Sequence, residues 1–164
     1  MGEVLYCQQY VSPLGTIHLV TDQDSLLGAW FEGQKYEKRG FEKATFLTEH
    51  QPVLEEAFRW LDAYFSGQKL LIIPPLAPRG TTFQKRVWQE LLKIPFGQTS
   101  TYGQLAKDLR CLSAQAVGGA VGKNPLSIFI PCHRILGVDG SLTGYAGGLE
   151  RKSWLLDHER KRRK

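Results

Sequence analysis

The chain has 164 residues, 42% hydrophobic and 23% charged, enough for one ordinary domain or two small ones with real cores. No apolar run approaches the roughly 20 residues of a membrane span, MGEVLYCQQY lacks the basic-then-apolar pattern of a signal peptide, and three cysteines with no CxxC spacing argue against a disulfide framework and suit a reducing cytoplasm. The net charge of +5 is uneven: residues 1–76 hold six Lys/Arg and ten Asp/Glu, residues 77–164 fifteen and six, so the basic half points to a polyanionic partner.

LYCQQYVS and TIHLVTD flank PLG, a turn signal, and predict two strands, with SLLGAWFEGQ a third. QPVLEEAFRWLDAYFSG predicts a helix: Pro52 suits its first turn, Leu54, Ala57, Phe58, Leu61 and Phe65 recur at helical spacing, and Gly67 ends it. LLIIPPLAPRG carries three prolines and marks the boundary between a domain over 1–73 and another over 77–164. TTFQKRVWQELLKI opens the second half as a helix with Thr82 as its cap and Phe83, Val87, Trp88, Leu91 and Leu92 on one face. STYGQLAKDL and SAQAVGGAVGK, the latter opened by Ser113, are two short helices joined by a tight turn, a helix-turn-helix pattern. LERKSWLLDHE predicts the last helix, and RKRRK follows it as a basic tail that either meets the polyanion or is simply solvated.

The second helix of the pair is almost bare, with Ala114, Ala116, Gly118, Gly119, Ala120 and Gly122. Each helical glycine costs about 1 kcal/mol relative to alanine, so either tight packing or close approach of a ligand must compensate. Without Lys or Arg before Lys123, the helix suits docking by shape better than reading guanines with bidentate arginine. GGAVGKN is not a phosphate loop: it is one residue short, and Asn124 stands where Ser or Thr would bind magnesium.

SIFIPCHRIL sets a thiol, Cys132, beside an imidazole, His133. In a strand adjacent side chains point to opposite faces, so the two are not simply a touching nucleophile and base. IPCHRIL, with AVGGAVGKNPLSIF before it and GYAGGLERKSWLLDHE after it, resembles the O6-alkylguanine-DNA alkyltransferases, the methylated-DNA–protein-cysteine methyltransferases. The likeness extends upstream through PLAPRGTTFQKRVWQELLKIPFGQTSTYGQLA to SPLGTIHLVTDQDSLLGAWFEGQ and covers nearly the whole chain.

The resemblance implies an α/β N-terminal domain, a small antiparallel sheet plus helix of ribonuclease-H-like form, followed by a mostly α, winged helix-turn-helix-like DNA-binding domain. It implies single-turnover transfer of an alkyl group from guanine O6 to Cys132, with His133 as base acting through an ordered water and Glu159 orienting it. Asn124 would bridge the bare helix and the cysteine segment, and Tyr102 would help rotate the nucleotide out of the duplex and protonate the leaving guanine. Tyr145, Ala146, Ile135 and Gly147 would form the pocket, with the Ala146 N–H facing O6 and the Cys132 and Ile135 carbonyls accepting from the exocyclic amine. Ser113, Ala114, Gln115, Ala116, Gly118, Lys123 and Arg134 would meet double-stranded DNA, docked in the minor groove, with Arg134 alternatively a surface or structural ion-pair residue, its main part in the family. Gln115 departs from the family, which has an arginine there to fill the vacated stack, and this predicts weaker base extrusion or DNA affinity. Neither a cofactor nor a metal is expected, since Cys7 and His18 cannot complete a four-ligand site and Cys111 lies far off in sequence. The protein is expected to act as a cytoplasmic monomer. Two other classes compete: a non-catalytic lesion-binding protein, whose known examples lack the cysteine, and a Cys-His-Glu hydrolase.

Overall fold

A computed structural model describes residues 2–68 and 72–162. Strands β1 (Val4–Ser12) and β2 (Gly15–Thr21) form the expected hairpin, and β3 (Leu26–Phe31) adds antiparallel to β2. Gly15 sits at φ +111 in the hairpin turn, where the Ser12 hydroxyl accepts from Leu14 N and donates to the Gly15 carbonyl. A fourth strand, β4 (Thr45–Leu47), pairs parallel to β1 and makes the sheet mixed, in the order β3-β2-β1-β4. Three residues with no buried member leave no alternation to read.

Helix α1 (Pro52–Ser66) begins at Pro52 and ends at Gly67, whose φ of 75 closes the helix without the penalty a Cβ would carry. Ala57, Trp60, Leu61 and Tyr64, at i, i+3, i+4 and i+7, are buried, each large side chain contributing about 1.5–3 kcal/mol. Helix α2 (Thr82–Leu91) is capped by Thr81, not Thr82. Thr81 has the glutamine three residues on: its hydroxyl accepts from Gln84 N, and Gln84 Oε1 accepts from Thr81 N, both at 3.0 Å. Val87, Trp88 and Leu91 are buried as expected, whereas Leu92 faces outward at the helix end.

Strand β5 (Ser100–Thr101) leads into α3 (Tyr102–Asp108), capped by Thr101, and Arg110 at φ 54 turns the chain toward α4 (Ala114–Gly122), capped by Ser113. Trp88 Nε1 donates to the Ala120 carbonyl at 2.9 Å and locks α4 onto α2. Strand β6 (Ile135–Leu136) pairs parallel to β5. Helix α5 (Leu149–Arg162) runs three residues beyond the predicted end and takes up the start of the basic tail; residues 163 and 164 lie outside the described residues.

One hydrophobic cluster runs through both halves, with Leu19, Phe31, Leu61, Trp88, Phe129, Ile135 and Leu155 among its members. Trp60 of α1 stacks on Phe129 with centroids 4.7 Å apart. The free edge of β3 is used as well: Ala29 N donates to the Pro125 carbonyl and Ser127 N to the Ala29 carbonyl. The segment leading to Cys132 is therefore held against the first half's sheet. No helix among the described residues is long and apolar enough to cross a membrane.

Candidate active site

Residues Asn124–Ile135 are buried throughout. Asn124 braces the segment: its Nδ2 donates to the Ile130 carbonyl at 2.8 Å, and its Oδ1 accepts from Leu126 N at 2.9 Å. Cys132–Arg134 form one 3₁₀ turn rather than a strand. With three residues per turn, neighbouring side chains diverge by roughly 120° instead of 180°. The thiol and the imidazole therefore face different partners.

The imidazole faces Glu159 of α5, with His133 Nε2 2.6 Å from Oε2. Arg134 donates from Nε to Oε1 at 2.7 Å and from Nη2 to Oε2 at 3.0 Å, Tyr64 of α1 donates to Oε2 at 2.6 Å, and Gly97 N donates to Oε1 at 3.2 Å. Burial works to raise the Glu159 pKa, but these bonds and the charge of Arg134 outweigh it and hold the carboxyl far below its usual range. Glu159 is therefore ionised and can only accept, which assigns the proton to His133 Nε2. Burial holds the ring neutral, its pKa lowered despite the carboxylate. Nδ1 is left as a buried acceptor with no hydrogen-bond partner among the described residues.

Arg134 is not on a DNA face. It is 6% exposed, bonds Glu159 and the Ile94 carbonyl, and lies over the Phe96 ring. With Nε, Nη1 and Nη2 all engaged inside the protein and the side chain buried, the guanidinium is not presented to a phosphate.

Burial raises the Cys132 thiol pKa, while the Asn124 amide and the Lys152 charge pull it down. Lys152 and Tyr64 are site residues the sequence reading missed. Lys152 is fully buried, and its Nζ donates to the carbonyls of Ile135 at 2.5 Å and Thr143 at 2.7 Å. Lys152, Leu155, Leu156 and Glu159 follow i, i+3, i+4, i+7, and all four are buried. Two charged residues on the apolar stripe of a helix were the available signal.

A cleft of about 450 Å³ is lined by Tyr102, Gly118, Gly119, Lys123, Tyr145 and Ala146 with Lys35 and Tyr36 of the loop after β3. Tyr102 and Tyr145 are near enough to feel a charge on Cys132, and the Tyr145 ring stands edge-on to His133 at 6.4 Å. The Tyr102 hydroxyl donates toward the Gly144 carbonyl at 3.3 Å. Gly147 is required where it stands, because a Cβ there would lie 2.6 Å from the Tyr145 ring and 3.1 Å from Phe31. Lys35 N donates to the Ala146 carbonyl at 3.3 Å, so the N-terminal half ties down the wall. The Ile135 carbonyl carries the Lys152 ammonium, and the Cys132 carbonyl accepts from Ile135 N within its turn.

On α4, Ser113, Ala114, Gln115 and Ala116 are exposed in a row. A Cβ at Gly119 or Gly122 would meet nothing within 4 Å, and one at Gly118 only the Tyr102 ring at ordinary contact distance. Packing within the chain does not demand these glycines. Cys7 lies on β1 opposite Val20 and His18 on β2 opposite Gln9, and among the described residues no group of three or more His, Cys, Asp or Glu could hold a metal.

Two family models match the chain: the ribonuclease-like domain of 6-O-methylguanine DNA methyltransferase over residues 5–78 and its DNA binding domain over residues 82–161. A methylated-DNA–protein-cysteine methyltransferase of Methanosarcina acetivorans is 41% identical over 156 residues, covering 94% of this chain and 98% of the relative. The corresponding Haemophilus influenzae protein is 42% identical over 158 residues, covering 95% and 87%. A crystal structure of Mycobacterium tuberculosis OGT in complex with DNA superposes with a TM-score of 0.85 at 37% identity, covering 96% of this chain and 94% of that one.

Proposed function

The chain belongs to the 6-O-methylguanine DNA methyltransferase family, and on that premise we propose that it repairs O6-alkylguanine in double-stranded DNA by taking the alkyl group onto Cys132. The observation that supports this best is a buried thiol one residue from an imidazole whose Nδ1 has no partner among the described residues and whose Nε2 is held by an ionised carboxylate.

The exposed row Ser113–Ala116, with Gln115 at its centre, meets the minor groove, and Gly118, Gly119 and Lys123 let the backbone close on the strand. A guanine inside the duplex is out of reach and must be turned out of the stack. It enters between Tyr102 and Tyr145, with the Ala146 N–H toward O6 and the second lone pairs of the Cys132 and Ile135 carbonyls toward the exocyclic amine. The thiol proton passes to His133 Nδ1 through water, and Glu159 stabilises the imidazolium. The sulfur lone pair attacks the alkyl carbon, the S–C bond forms, and the C–O bond breaks with its electrons going to O6. Tyr102, whose phenol burial keeps protonated, gives O6 its proton and regains one from solvent.

The product is a thioether. It offers water no carbonyl to attack, so the thiol is not regenerated and each molecule acts once. Asn124 keeps the cysteine segment in place, and the chain works as a cytoplasmic monomer whose N-terminal domain over 1–73 buttresses the acceptor domain over 77–164. Incubation with duplex DNA containing O6-methylguanine, followed by the mass of the Cys132 peptide, tests the reading. One methyl gained per protein is expected. Binding without a mass change would mean a lesion sensor, and repeated product release a hydrolase.

A further inference from the structure

We propose that Lys152 is the positioning residue of this site: its ammonium is the counter-charge for the Cys132 thiolate, and its two carbonyl bonds pin the Tyr145 loop to the segment that carries the thiol. The proposal rests on the alkyl-acceptor reading above and extends it to a residue outside the Cys-His-Glu set.

A buried ammonium is costly unless it is paired. Lys152 is fully buried and forms no ion pair with any carboxylate among the described residues; its partners are the carbonyls of Ile135 and Thr143. A methionine would fill the same space without the penalty. The charges around the thiol explain why a lysine stands there. Glu159 is balanced by Arg134, His133 is neutral at rest, and Asn124, Tyr102 and Tyr145 carry no charge. Lys123 and Lys35 lie on the cleft wall, and Arg151 is engaged by the Leu14 and Gly147 carbonyls. Lys152 is thus the buried cation without a counter-ion, and the anion that completes the pair is the thiolate formed when His133 takes the proton. Burial raises the Cys132 pKa and lowers that of Lys152, and each group's charge acts on the other against that burial.

The carbonyl bonds serve the same end. Ile135 lies in the floor against which the guanine amine is placed, and Thr143 leads into the Gly144–Gly147 turn carrying Tyr145. One ammonium fixes floor and wall at the spacing a flat base needs.

The test is site-resolved carbamidomethylation of Cys132 by iodoacetamide, read by peptide mass so that Cys7 and Cys111 do not interfere, in folded wild type, K152M, K152Q and K152R. Loss of the counter-charge should slow labelling about tenfold at pH 8 in K152M and K152Q, with the rate–pH profile displaced upward by about one unit. K152R should keep the wild-type profile. K152Q retains a donor for one carbonyl, so loss of the pin alone does not decide the result. A merely structural pin predicts the opposite sign: loosening would expose the thiol and speed its labelling. Unchanged or faster labelling in K152M and K152Q overturns the proposal. Because the probe needs no DNA, this outcome is independent of whether the wild type accepts methyl from O6-methylguanine, which tests the reading beneath it.

Discussion

Tyr64, on the helix of the N-terminal half, donates a 2.6 Å hydrogen bond to Glu159, 95 residues further along the chain. The first half is therefore more than a support, since one of its side chains is part of the carboxylate's solvation shell. Replacing the phenol by Phe leaves Glu159 one donor short in a buried place. Tyr64→Phe should lose about 1–3 kcal/mol in urea unfolding and lower the methyl-transfer rate, while DNA affinity measured by fluorescence anisotropy stays at the wild-type value.

Arg134 has an equally definite expectation. Removing one member of a buried ion pair leaves the other charge unpaired, typically at about 3–5 kcal/mol. Arg134→Met should fold weakly, yet the slope of log affinity against log salt should match wild type, because the guanidinium neutralises no phosphate. A reduced slope would restore Arg134 to the DNA face.

Acid should weaken the fold in two stages. His133 is held neutral, its folded pKa below the usual 6.5, so as pH falls through 6.5 the unfolded chain takes a proton the folded one resists. Glu159 is held below its usual 4.5, so its contribution is complete above 4.5 and is lost below it as the folded carboxyl protonates. The urea midpoint should fall from pH 7.5 to pH 5 and fall further below pH 4.5. In His133→Phe the first stage should vanish.

Gln115 is exposed on the row proposed to meet DNA and lacks the charge of an arginine. Gln115→Arg should tighten binding to duplex DNA severalfold at low salt, steepen the salt slope by about one phosphate's worth, and speed repair. Equal affinity and rate in the two proteins would remove Gln115 from the account of base extrusion.

The parts legible in the sequence are those whose signal is local. The hairpin, α1 and the two short capped helices follow from turn residues, caps and periodicity, and Cys132, His133 and Asn124 sit in one continuous stretch. Glu159 came from the resemblance alone, since a carboxylate before a basic tail looks solvated. Arg134 was misplaced for a related reason: a basic residue near a DNA-binding helix suggests phosphate, and its buried partner lies 25 residues away. Lys152 and Tyr64 act through contacts that exist only once α5 has docked on α1 and on the cysteine turn. Strand β4 pairs through backbone groups that its three side chains do not announce.

Glu159 collects its donors from α1, from Gly97 and from the turn after Cys132, and this gives the protein an order of assembly. A ribosome making the chain delivers the acceptor cysteine before it delivers the carboxylate that readies the neighbouring base. During synthesis the thiol, which can be spent only once, lacks the assembled base. A product truncated before residue 159 would carry the acceptor without the means to use it.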